Sequence, residues 1–353
     1  METIRARTLW PNPIAVYSRE TAGLAEFVTG EQQLPLSGRL GLERKAMEPA
    51  RESAEAEGSA RLWAVRSSLR LAFYRTLAAQ EQARILRSSL AEMQTVLNLI
   101  RVREREGEGS RYDRMRVERE TAEMRADLAL VEARAHSERA TVFSYLPPRT
   151  ETATIRGDVN IRIVTPSRED VRGRTLTTRA EIRAESSRLE HIAFEQQAAD
   201  RLKIPEPAIT AGLKRAQIIS GQNANGAVVA VSISLPLFNR GKTEVARLSA
   251  ERERTQARRD FVTQRVLAEV DGAYDLYGLR LAALQAFDEE MRNAAELLRV
   301  VRIGYEEGEL GILQLLDAFR LERQRALRRL ELQSAVKDAE IELSRTAGFE
   351  VAP

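Results

Sequence analysis

From Thr243 to Arg302 the chain runs sixty residues without a proline, and only Gly272 and Gly278 interrupt it. Val262, Val266, Val270, Ala273 and Tyr277 recur there at three- and four-residue steps, the spacing of one helical face. A straight helix of that length runs ~90 Å. Leu42 to Arg105 is a second such stretch, in which Pro49 is expected to kink or delay the helix. Shorter helical patterns cover about Ser110 to Tyr145, Leu176 to Leu202 and Leu310 to Thr346. Helical hairpins of this length cannot bury themselves as a globule, so their apolar stripes need neighbours.

The two long stretches belong to a repeat. Leu34, Pro35, Leu36 return as Leu235, Pro236, Leu237, an offset of 201. Phe73 and Tyr74 face Ala273 and Tyr274 at an offset of 200, and Gly107 with Ser110 faces Gly308 with Gly311 at 201. Asn12 and Pro13 have a looser counterpart in Glu206 and Pro207, because the second half holds a longer loop at Ser220 to Gly226. Each half reads as a Pro-marked start, two short strands, a long helix, a glycine turn and a returning helix. The organisation expected is residues 1–146 as the first repeat, with a strand pair near 13–36 and a helical hairpin near 42–145. A small irregular or strand-containing segment follows at 147–175. Residues 176–353 form the second repeat, with a helix, a strand pair near 208–238 and a hairpin near 243–346.

From Val229 to Leu237 the odd positions are Val229, Val231, Ile233, Leu235 and Leu237, and the even ones are Ala230, Ser232, Ser234 and Pro236. That period of two marks a strand with two unlike faces. Ala208 to Ala216 is its expected partner across the turn Gly221 to Gly226; Ile14 to Arg19 and Leu24 to Leu36 form a pair that alternates less cleanly. Spans of ~9–11 residues suit a tilted membrane-crossing strand as well as an ordinary hairpin. Four strands leave unpaired backbone at two edges. A bilayer forbids that, so membrane strands must close a ring, and identical copies supply the missing neighbours.

Composition narrows the function. There is no cysteine, so disulfides, thiol nucleophiles and Cys-held zinc are excluded. The only histidines, His136 and His191, cannot build a multi-His metal site. Lys plus Arg is 55 against 52 Asp plus Glu, and the two signs alternate along the helices, as in Glu251, Arg252, Glu253, Arg254. This is a solvated, ion-paired helix face and no reader of nucleic acid. Gly241, Lys242, Thr243 lacks the earlier glycine of a phosphate-binding loop, since Pro236 stands in its place. No cofactor, metal site or catalytic carboxylate pair is expected, and no apolar run reaches the ~20 residues of a membrane helix.

Three features together resemble the TolC-type outer-membrane efflux ducts. They are Val231 to Leu237 leading into Phe238, Asn239, Arg240, Gly241; the turn Tyr305, Glu306, Glu307, Gly308 continuing to Leu315, Leu316, Asp317, Ala318; and the tandem copy with its own turn at Gly107, Ser110, Asp113. The resemblance covers about residue 10 to Gly348. It implies a mainly α fold of long antiparallel helical hairpins in tandem repeat with four short strands. Three chains would share a twelve-stranded barrel in the outer membrane, set in its lipid, above a hollow periplasmic helical cylinder. The implied function is a passive duct with no enzyme activity, exporting small molecules or metal ions. The implied partners are a periplasmic adaptor and an inner-membrane pump of the RND type. By the same resemblance Gln314 and Asp317 line the aperture. Gly107, Ser110, Asp113, Gly308, Gly311 and Leu315 lie at adaptor-contacting tips, and Val229, Val231, Ile233 and Leu235 lie on a membrane strand. The run Leu235 to Arg240 is most similar to the heavy-metal, Czc-type branch. The chain opens near the first strand, without an export signal at Met1 to Trp10, so a truncated start is expected. A soluble coiled-coil scaffold and a periplasmic adaptor are the alternatives; an adaptor carries one helical hairpin where this chain carries two.

Overall fold

A computed structural model describes residues 9–20, 25–148, 154–159, 166–217, 222–291 and 294–351. Gly221 of the expected strand turn, the first eight residues, and residues 149–153 and 160–165 of the expected irregular segment lie outside these. In chain order the elements are β1 (Ile14–Glu20), β2 (Ala25–Gln33), α1 (Arg39–Arg105), α2 (Arg111–Phe143), α3 (Arg168–Thr178) and α4 (Ala180–Asp200). They continue with a 3-10 turn (Arg201–Lys203), β3 (Pro207–Gln217), β4 (Asn223–Ile233), α5 (Lys242–Glu290), α6 (Ala294–Glu306) and α7 (Ile312–Ala347). Among the described residues no helix is long and apolar enough to cross a membrane.

The chain forms two compact units, Met1–Ala60 with Ala180–Gln264, and Arg61–Arg179 with Arg265–Pro353. Each draws on both sequence repeats. The first holds one antiparallel sheet in the order β1-β2-β3-β4. Its middle seam, β2 against β3, joins the repeats over nine residue pairs from Ala25↔Ala216 to Gln33↔Ala208. Gly212 makes that seam possible. A Cβ there would run into the Val28 carbonyl and the Thr29 Cα. A small cluster of Ile192, Ala199 and Leu248 packs α4 on α5, and the Ser53 hydroxyl donates to the Ala184 carbonyl at 2.9 Å, tying α1 to α4.

The second unit holds two larger cores. One gathers Val270, Tyr277 and Leu284 of α5 with Val336 and Leu343 of α7 and Val171 of α3. The other gathers Met93, Leu97 and Ile100 of α1, Val117 and Met124 of α2, and Tyr305, Ile312, Leu315, Leu316 and Phe319 around the α6–α7 turn. Arg179, buried at the break between α3 and α4, donates to the Arg345 and Thr346 carbonyls at 2.7 and 2.8 Å. A cation there complements the negative end of α7.

The structure departs from the expected elements in four places. Pro49 neither delays nor ends α1, which starts ten residues earlier at Arg39 and carries the proline inside it. Residues 168–175, expected to be irregular, are helical, with Glu169 and Asp170 in the first turn and Val171 and Thr175 buried one turn apart. Acidic residues favour a helix N-terminus, and the i, i+4 burial gives the helix a packing face. The stretch from Thr243 is two helices, α5 ending at Glu290 and α6 starting at Ala294. Finally, β4 stops at Ile233, whose partner Pro207 begins β3, so Leu235 lies past the strand. The Leu237 N–H there donates to the Leu235 carbonyl at 2.9 Å, and Leu36 to Leu34 at the same distance. The repeated Leu-Pro-Leu is therefore a three-residue turn that ends each second strand.

Candidate functional site

Two parts of the molecule carry the residues singled out by sequence. The first is the sheet. Residues opposite each other on antiparallel strands share a face. The rows on one face are Tyr17, Val28, Leu213, Ala227; then Ala15, Gly30, Ala211, Val229; then Gln32, Ile209, Val231; and last Pro207 with Ile233. Apart from Gln32, this face is apolar over about 20 Å of strand. It is also open: Leu213 is 71% exposed and Val229 77%. A polar row of Arg19, Glu26, Arg215 and Asn225 closes one end, where Arg19 lies 3.8 Å from Glu26. The opposite face carries Glu31, Thr210, Lys214 and Ser232, with the Lys214 ammonium 5.0 Å from the centre of the Phe27 ring. Val229, Val231 and Ile233 thus stand together on the apolar face, and the first strand pair, with its weak alternation, completes it.

The second part is the pair of helical turns. α1 and α6 end in the same way. The Gly107 N–H donates to the Glu104 carbonyl and Glu108 to Arg103, at 3.2 and 2.9 Å. Gly308 donates to Tyr305 and Glu309 to Gly304, at 3.2 and 2.8 Å. Both glycines have φ of 79°, the left-handed conformation this double-bonded helix stop requires. Two further glycines take part that sequence reasoning did not place there. A Cβ on Gly109 would lie 2.7 Å from the Glu104 nitrogen, and one on Gly304 would lie 2.8 Å from the Leu310 side chain. The repeats solve the same close approach with the small residue on opposite sides of the turn. Ser110 accepts from the Tyr112 N–H at 3.1 Å and starts α2, and Gly311 caps α7.

Ion pairs lace the turns together. Arg114 of α2 reaches Glu104 of α1 at 2.6 Å and Glu118 at 2.8 Å, and Arg101 of α1 reaches Glu118 at 2.9 Å. The hydrogen bond from Arg101, followed by that from Arg114, holds the Glu118 carboxyl below the ordinary carboxylate range. Glu120 of α2 accepts from Arg320 and Arg323 of α7 at 2.9 and 3.4 Å, linking one hairpin to the other. Its hydrogen bond raises the Arg320 guanidinium above its usual value, and the Asp317 charge adds to this. Gln314 and Asp317 are exposed on α7, Asp113 is half-buried, and Gly107, Ser110, Gly308 and Gly311 are exposed. Leu315, expected at a partner surface, is instead 2% exposed and sits in the core beneath the turns. Its neighbours Ile312, Leu316 and Phe319 follow the helical spacing that marks a buried face.

A family model described as outer membrane efflux protein matches residues 171–348, just over half of the chain. No curated protein matches it in sequence. Its fold is similar to that of the Neisseria gonorrhoeae MtrE outer membrane channel, solved in its open state, with 18% identity, a TM-score of 0.75, and 99% of this chain and 83% of that one covered. The outer membrane protein VceC of Vibrio cholerae gives 17% identity and a TM-score of 0.71, covering 99% of this chain and 90% of that one. The outer-membrane channel OprN gives 20% and 0.71, covering 98% and 83%. The scaffold and adaptor readings give way to this match. The chain belongs to the outer membrane efflux protein family and is a passive outer-membrane duct, with no enzyme chemistry.

Proposed function

We propose that three copies of the chain assemble into one duct of a tripartite efflux system. The observation that carries this reading is the sheet. It presents one apolar, exposed face and, among the described residues, two strands, β1 and β4, each paired on one side only. In a bilayer those free edges need partners. Three sheets of four strands, closed edge to edge, satisfy every backbone group and put Val229, Val231 and Ile233 toward lipid. The helical turns then serve as the periplasmic mouth, where a periplasmic adaptor leading to an inner-membrane pump, of the RND type, docks around Gly107, Ser110, Asp113, Gly308 and Gly311. Gln314 and the Asp317 carboxylate, exposed on α7, face the aperture. Three copies of Asp317 repel one another at close range and attract cations. The cargo is a small molecule or a metal ion in passage. The repeats are the working domains of this duct.

The test is expression behind an export signal, separation of the outer membrane and native mass in detergent. The expected outcome is a species of three times 39.7 kDa in the outer-membrane fraction. A soluble monomer or dimer would sink the proposal.

A further inference from the structure

The two repeats leave the sheet by different routes, and the difference is chemical. After the first Leu-Pro-Leu turn the chain needs only Ser37 and Gly38 before α1 begins at Arg39. Ser37 is buried and hydrogen-bonded to Glu206, and Arg39 is neutralised by Glu43 at 2.8 Å. After the second turn there are two more residues, giving Phe238, Asn239, Arg240 and Gly241 before α5 begins at Lys242. Phe238 is fully exposed, as are most of Leu235 and Leu237 beside it. Arg240 and Lys242 line a cleft of about 720 Å³ together with Pro236, Val245, Lys203 and Asp200. Asp200 pairs with Lys203 at 2.8 Å. Among the described residues no carboxylate pairs with Arg240 or Lys242.

Neither cation, Arg240 just before α5 and Lys242 at its first position, serves that helix, because the positive end of a helix dipole opposes a cation. Both follow directly on the end of the apolar sheet face, past a large exposed aromatic. Trp10, also exposed, lies at this same end of the sheet, where Gln32 donates to the Pro11 carbonyl at 2.9 Å. Apolar band, aromatic belt and cations in that order are the sequence of environments met when leaving a bilayer.

We infer that the junction Phe238–Lys242 binds the phosphate headgroup of an anionic phospholipid, one per chain, with Arg240 and Lys242 on the phosphate and Phe238 beside the acyl chains. The site rests on the reading of the sheet as a membrane barrel. It anchors the barrel's depth on the helical side through the second repeat alone. The exposed Phe238 favours a lipid over a free phosphate, which has nothing to offer a hydrophobic side chain.

The experiment is native mass spectrometry of the detergent-purified outer-membrane protein, titrated with phosphatidylglycerol, with phosphatidylcholine of the same chains, and with inorganic phosphate. Phosphatidylglycerol is expected to bind roughly thirtyfold better than phosphatidylcholine, since each of the two cations contributes about a fivefold preference near a surface. The double variant Arg240→Gln with Lys242→Gln is expected to lose that preference. Phe238→Ser is expected to weaken both lipids, and Arg39→Gln to change neither. Equal lipid preference in the double variant and the parent overturns the inference. So does full displacement of the lipid by inorganic phosphate, which would mark a soluble-anion site. The same preparation reports fractionation and subunit mass. Loss of both would refute the duct along with the site, whereas a correctly placed trimer without lipid preference refutes the site alone.

Discussion

Gly107 and Gly109 are two residues apart and matter for different reasons. At Gly107 there is open space, and only the positive φ is demanding. Gly107→Ala is expected to destabilise by about 1–2 kcal/mol, the strain of a left-handed residue. At Gly109 the added Cβ meets the α1 backbone at 2.7–3.1 Å, and backbone cannot swing aside as a side chain can. Gly109→Ala is expected to cost more, up to about 3 kcal/mol as an overpacked site. Thermal unfolding of the two variants ranks them, and the reverse order would contradict this account. The first glycine was legible in the sequence, because it ends a helical pattern and recurs 201 residues later as Gly308. The second was not, because its constraint comes from a residue five positions back that only the folded turn brings near. The family resemblance puts Leu315 among the partner-contacting tips, yet its place between Ile312 and Phe319 on one stripe already indicates burial, and the fold buries it. Leu315→Ala is expected to cost about 2–5 kcal/mol by opening a cavity, read as a loss of stability. An unchanged melting temperature would return Leu315 to the surface.

At the scale of elements, β4 separates its neighbours cleanly. Val229 stands on the apolar face and Val228 on the other. An arginine at position 229 is expected to cost the assembled barrel about 2–4 kcal/mol near the middle of the bilayer, and one at 228 far less. Denaturant resistance of the outer-membrane fraction measures both, and equal effects would refute the face assignment. This alternation was readable in β4 itself. In β1 and β2 it is blurred, because the face opposite the apolar one also carries Val16 and Phe27; the pairing register, invisible in a lone strand, is what sorts them. The α1–α2 hairpin carries a pH dependence of known sign. The Glu118 carboxyl is held low by Arg101 and Arg114, so its stabilisation is present above the ordinary carboxylate range. It is lost as pH falls through that lowered value, below the ordinary carboxylate range. Hydrogen exchange near Ser110 is expected to accelerate in that acid window, and Glu118→Gln to remove the step. Exchange equally acid-sensitive in the variant would assign it elsewhere.

For the whole molecule, the repeat was the most informative part of the sequence, and the units it builds were the least. The offset of 201 is written in Gly107, Gly308 and the two Leu-Pro-Leu turns. That each compact unit draws on both repeats follows from helices long enough to serve both, and no local pattern announces it. The seam of β2 on β3 has a kinetic meaning for how such a duct is made. Among the described residues one chain closes that inner seam and its two flanking hairpins, and β1 and β4 each keep a row of unpaired amide groups. Those rows bar a lone copy from the hydrocarbon. In the proposed three-chain duct, association and entry into the bilayer therefore become a single event, whose rate climbs steeply with the supply of newly exported chains. On that proposal a cell making too few of them is expected to accumulate waiting monomers in place of half-built pores.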